Sequence, residues 1–150
     1  MTYRVFGDSC TDVPEELAGD PHFVKVALTI HVGPDTIVDD ESFDQQNLLK
    51  KMRAWPDAPK TACPSPDQYM SRFLDHGDNY IVTLSGALSG SYNAAMQARA
   101  IYREEGGTGN VHVFNSRSAS AGQGQIALLI RELAGAGRTF QQVVEAVEAY

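Results

Sequence analysis

The sequence predicts an α/β fold with a parallel-rich sheet flanked by helices. Three observations carry this reading. Short apolar, β-rich runs alternate with segments of helical period. The helical segments open on recognisable caps. The β-rich runs lie too far apart along the chain to be joined by hairpins.

The strand candidates are Tyr3–Phe6, Phe23–Val32, Tyr80–Leu84 and Val111–Phe114. The first, third and fourth are short, mainly apolar runs, which suit central strands covered on both faces. Helix starts are marked by residues that cap exposed N–H groups. Ser42-Phe43-Asp44-Gln45, Ser65-Pro66-Asp67-Gln68 and Thr139-Phe140-Gln141-Gln142 each have capping-box form, the second with proline at the first helical position. The second helix is expected to run to His76 and stop at Gly77. Tyr92–Glu105 forms another, ending at Gly106-Gly107. Gly124–Gly137 places Ile126, Leu129, Ile130 and Leu133 on one stripe. The last amphipathic segment reaches Tyr150 without a cap, and a continuation into a second domain is expected.

Composition narrows the function. The chain has 150 residues, a usual size for one domain, and a formal net charge of −7. Lys and Arg are scattered apart from Leu48–Arg53, which argues against a nucleic-acid partner. No apolar run approaches the roughly 18 residues of a membrane span, and no signal peptide is visible. Cys10 and Cys63 are far apart and not in metal-ligand spacing, so free thiols in a reducing cytoplasm are expected.

Motifs for catalysis are weak. Neither a Walker loop nor a dinucleotide fingerprint is present. In Gly86–Gly90 the serine falls one place later than a nucleophile elbow requires, and no histidine is evidently paired with it. No two histidines sit at metal-ligand spacing. Asp8 and Ser9 read as a turn, and Asp12 as the cap of a short helix at Val13–Leu17. Cys10 and Cys63 read as small polarizable side chains.

What stands out is the density of hydroxyls where predicted strands end. Gly7–Asp12, Ser85–Ser91 and Asn115–Gly124 are small, polar loops, and Thr61–Ser65 adds a fourth. In a parallel sheet the three strand-end loops share one rim, where ligands of open α/β sheets bind. Capping by Ser65, by Ser89 or Ser91, and by Ser118 or Ser120 uses one hydroxyl per helix. It leaves over Thr61, Ser85, Ser116 and either Ser89 or Ser91. Spare hydroxyls beside helix N-termini suit a carboxylate or a phosphate.

Four segments, "GDSCTDVPEEL", "PKTACPSPDQY", "LSGALSGSYNAAMQA" and "NSRSASAGQG", resemble in order and spacing the signatures of the DegV family of bacterial fatty-acid-binding proteins. The resemblance spans the chain. It implies that residues 1–150 are the N-terminal α/β domain of a protein roughly twice this length, normally followed by a second, smaller α/β domain absent here. It implies one long-chain fatty acid, such as palmitate, in a tunnel between the domains. It implies a lipid-carrying subunit without chemistry of its own or a cofactor, which presents the acid to a separate fatty-acid kinase for acyl-phosphate formation. By the same resemblance the carboxylate is held by Thr61 and Ser89, and the wider candidate set includes Gly90, Ser9 and Ser116. Departures from the family pattern are Ser91 in place of threonine, Ala62 and Cys63 beside Thr61, and Asn115 in place of aspartate. Two other readings compete. One is an enzyme acting on an acyl or phosphoryl group through Ser89, Cys63 or Asp8. The other is a domain whose polar loops only cap helices.

Overall fold

A computed structural model describes residues 2–150. The chain runs β1 (Tyr3–Asp8), β2 (Phe23–Val26), β3 (Thr29–Val32), β4 (Asp35–Val38), α1 (Gln45–Ala54), β5 (Lys60–Ala62), α2 (Pro66–Met70), β6 (Asp78–Thr83), α3 (Ser91–Glu104), β7 (Asn110–Asn115), α4 (Ala121–Gly135) and α5 (Phe140–Glu148). The main sheet has the order β2-β1-β6-β7, and every pair in it is parallel.

Period-two alternation sends side chains to opposite faces of this sheet. Val5, Tyr80, Val82 and Phe114 pack with Ala127, Ile130, Val143 and Val147 of α4 and α5. Phe6, Ile81, Val111 and Val113 pack on the other face with Tyr69, Ala95, Ala98 and Tyr102 of α2 and α3. The predicted layering of helices on both sides of a parallel sheet is therefore found.

The run Phe23–Val32 is not one strand. It leaves the main sheet after Val26 and re-enters as β3 in a separate antiparallel sheet of order β4-β3-β5. The backbone at the crossing is satisfied from outside. Leu28 N–H donates to Ser9 Oγ at 3.0 Å, and Leu28 C=O accepts from Asp39 N–H at 2.9 Å. With those groups paired, the chain can change sheets without stranding a donor. The turn between β3 and β4 needs Gly33, whose φ is +57° and whose missing side chain leaves room for the Trp55 ring.

Two capping boxes form as expected. Ser65 N–H donates to Gln68 Oε1 at 2.8 Å, and Thr139 N–H to Gln142 Oε1 at 3.1 Å. Thr139→Ala should lower stability by about 1 kcal/mol in a urea titration, since Gln142 N–H loses its acceptor. The box at Ser42 does not form. Asp40 Oδ1 takes the Ser42 N–H at 2.8 Å, and Asp44 caps α1 by accepting from Asn47 N–H at 3.0 Å. Beyond Met70, α2 gives way to tighter turns through Arg72 and Phe73, so it stops short of His76. Val13 and Pro14 are irregular and Glu15–Gly19 form turns, so no helix begins there. Asp12 caps nothing there, and its carboxylate accepts from the Ser120 hydroxyl instead.

Candidate functional site

The carboxyl ends of β1 and β6 meet the small sheet at a cleft of about 430 Å³. Thr61 and Cys63 reach it from β5 and the loop beyond. Ser89 and Gly90 reach it from the turn before α3, and Cys10 and Leu84 form the side nearest the main sheet. Thr61 and Ser89, distant in sequence, thus line one space. A Cβ at Gly90 would stand 3.0 Å from Cys63 Sγ, a tight contact that the exposed Cys63 side chain would have to relieve. Leu88, on the rim, is 71% exposed.

Ser89 sits in a defined local geometry. Its Oγ accepts from Ser91 N–H at 3.2 Å and lies 3.0 Å from Ser91 Oγ. It therefore supplies an acceptor in the first turn of α3, whose N-cap position is occupied by Gly90. The expectation that one serine caps and another is spare becomes a pair: Ser91 is fully buried, and Ser89 is the member that reaches the cleft.

The other candidates separate. Ser9 is committed to Leu28 N–H, although its neighbours Cys10 and Leu28 line the cleft. Ser116 lies in a different cleft of about 390 Å³ with Asn115, Arg117 and Tyr150. Its Oγ accepts from Ser118 N–H and donates to Ser118 C=O, both at 3.1 Å, so it closes its own loop. A larger cleft of about 770 Å³ flanks the edge strand β2, but its lining of Lys25, Asp40, Glu41 and Arg72 mixes charges and includes neither Thr61 nor Ser89.

Asp8 has a role that sequence reasoning saw only in part. It does form the expected turn, accepting from Cys10 N–H at 3.2 Å. It is also fully buried and accepts from Leu84 N–H at 2.6 Å and from Gln123 Nε2 at 3.0 Å. One carboxylate thus ties together the ends of β1 and β6 and the start of α4, and fixes the backbone of both Cys10 and Leu84.

Burial pushes the Cys10 thiol up, and the Asp8 and Asp39 carboxylates push it further, so it stays protonated. The four histidines lie elsewhere. His22 pairs with Tyr3 C=O, His31 with Thr36, His76 with Thr108 and His112 with Glu148. No imidazole is therefore placed to take a proton from Ser89. Among the described residues no three His, Cys, Asp or Glu side chains cluster for a metal ion, and no helix is long and apolar enough to cross a membrane.

A parallel α/β layer bearing a hydroxyl-lined cleft at its strand ends defines a ligand-binding domain of the open-sheet class. A family model described as "Uncharacterised protein, DegV family" matches residues 2–150, and the chain belongs to the DegV family. A DegV domain-containing protein of Streptococcus pneumoniae is 39% identical over 155 residues, covering 100% of this chain and 54% of the relative. The chain spans about half the length of the curated relatives it matches. Among solved structures, a DegV family protein from Ruminococcus gnavus, refined with vaccenic acid, superposes with a TM-score of 0.92 at 46% identity. That match covers 99% of this chain and 54% of the other. The Streptococcus pneumoniae Fatty Acid Kinase (Fak) B3 protein, loaded with linoleic acid, superposes with a TM-score of 0.91 at 38% identity, covering 100% of this chain and 54% of its own.

Proposed function

We infer that this domain supplies the head-group side of a fatty-acid site in a longer protein. It holds the carboxylate through the hydroxyls of Thr61 and Ser89. The observation that carries this reading is the convergence of those two residues on one cleft at the strand ends. Fatty acids in the structures of two similar proteins support the choice of ligand.

The division of labour follows from magnitudes. Burying about fourteen methylenes at roughly 0.8 kcal/mol each yields about 11 kcal/mol gross. Association opposes this with about 4–15 kcal/mol. The tail must supply most of the affinity while the hydroxyls orient the head. Neutral hydroxyls also leave the carboxylate less neutralised than an arginine clamp would. That suits a cytoplasmic carrier whose cargo must still react with a separate fatty-acid kinase, and the same absence of a paired imidazole favours a carrier over an acyl-transferring enzyme.

The test is a pair of single substitutions in the full-length protein. Thr61→Ala and Ser89→Ala should each weaken long-chain fatty-acid binding by about 1.5–3 kcal/mol, the range for a hydrogen bond to a charged group. Calorimetric titration with palmitate measures it. Unchanged affinity in both variants would remove the carboxylate role. Stoichiometric labelling of Ser89 or Cys63 by a reactive acyl probe would favour the enzyme instead.

A further inference from the structure

Beneath the cleft lies a polar group that the carboxylate contacts do not use. Tyr69, on α2, is wholly buried, and its hydroxyl has no hydrogen-bond partner among the described residues. The groups whose charge or hydrogen bonding acts on the phenol are Asp8, Ser91, Cys63 and Cys10. Two of these, Cys10 and Cys63, line the cleft, and Ser91 is bonded to Ser89, which also lines it. A buried hydroxyl left unpaired weakens the fold, so one placed against the underside of a binding cleft calls for a role.

The role follows from counting protons. Each hydroxyl has one to give and two lone pairs to receive with. Ser89 Oγ already accepts the Ser91 N–H, and the two serine oxygens are 3.0 Å apart, with either able to donate. If Ser89 donates inward to Ser91, it has no proton left for an anion in the cleft. If Ser91 donates outward to Ser89, the Ser89 proton is free to point at the ligand. Nothing in the serine pair itself selects between the two orders.

We propose that Tyr69 selects the second order, as a positioning residue for the head group: its hydroxyl donates to Ser91, Ser91 donates to Ser89, and Ser89 donates to the anionic oxygen in the cleft. This rests on the fatty-acid reading above. Ser91 is the one hydroxyl that acts on the phenol, and the relay requires its side chain to accept the Tyr69 proton. Burial, reinforced by the Asp8 carboxylate, pushes the Tyr69 phenol far up, so it keeps its proton and remains a donor. Hydroxyls donating in one direction polarise one another, so the terminal donor is strengthened by those behind it.

The experiment compares palmitate with 1-hexadecanol, which offers the same chain without the charge, on the full-length protein. Tyr69→Phe should weaken palmitate binding about fivefold to tenfold while changing hexadecanol binding by less than about twofold. Its melting temperature should change little, because the ring that packs in the core is kept. Ser91→Ala should reproduce the carboxylate-selective loss, and the double variant should lose no more than the larger single. Should Tyr69→Phe fail to fold, Tyr69→Trp, which keeps a buried ring but moves the donor, is compared with Ser91→Ala for the same carboxylate-selective loss. Palmitate affinity unchanged by both substitutions, or equal losses for palmitate and hexadecanol, would overturn the proposal. A wild-type protein that binds neither compound would overturn the fatty-acid reading, and the relay with it.

Discussion

Asp8→Ala is expected to lower the unfolding free energy by about 3–4 kcal/mol, at or above the top of the usual range of about 0.5–3 kcal/mol for single substitutions. The carboxylate is fully buried, and three donors converge on it: Leu84 N–H, Cys10 N–H and Gln123 Nε2. Leaving a buried donor unpaired costs about 1–3 kcal/mol, and alanine strands more than one. Gln123 keeps a second contact, to Thr11 Oγ1 at 3.3 Å, which limits the loss on that side. Asp8→Asn should cost less, because its amide oxygen still accepts while its NH2 faces a donor. Urea titrations of the three proteins measure the order. A loss below about 1 kcal/mol for alanine would show that water or a shifted backbone satisfies the donors. Because Cys10 and Leu84 both line the cleft, ligand affinity should fall with stability.

The legible parts of this chain are those written in short range. Ser65 and Thr139 meet their Gln partners three residues on, and a reader of one sequence can see both ends of that contact. The mainly apolar runs Tyr3–Phe6 and Tyr80–Leu84 likewise show that both faces of the sheet are covered. Ser42 shows the limit. It has capping form, but Asp40 outcompetes the helix for it with two hydrogen bonds. The second sheet was hidden because β5 is only three residues long and β3 continues β2 without a composition change.

The site divides in the same way. A hydroxyl-rich rim could be read from the loops alone, since parallel strands bring their carboxyl ends together. Which hydroxyls share the cleft could not, and the choice of Thr61 and Ser89 came through family resemblance. Ser116 belongs to one of the same motifs, yet its loop turns it into another cleft beside α5. Asp8 gave no signal beyond its turn, because Leu84 and Gln123 are 76 and 115 residues away. The Tyr69 hydroxyl was equally silent: on a helical stripe, a tyrosine reads as core, and here the ring does pack with Phe73 and Ala95 in the core.

Gly124→Ala is expected to be nearly as damaging as loss of the carboxylate, for a different reason. A Cβ at Gly124 would lie 2.3 Å from the backbone oxygen of Asp12 and 3.2 Å from Pro14 Cδ. Neither group is the end of a flexible side chain, so α4 itself must move away from the loop after β1. Overpacking of this kind costs about 3 kcal/mol at the upper end of its usual range. The displacement carries Gln123, the neighbouring residue, away from Asp8 and Thr11. The two substitutions therefore share a partner, and in combination they should cost less than their sum by more than about 0.5 kcal/mol. Unfolding titrations of the two single variants and the double variant give that coupling directly. Additivity within about 0.5 kcal/mol would mean that the Asp12–Gly124 approach and the Asp8–Gln123 hydrogen bond hold α4 independently. A clear shortfall would mean that the close approach exists to deliver Gln123 to Asp8, so that the glycine, the glutamine and the aspartate together set the floor on which the cleft is built.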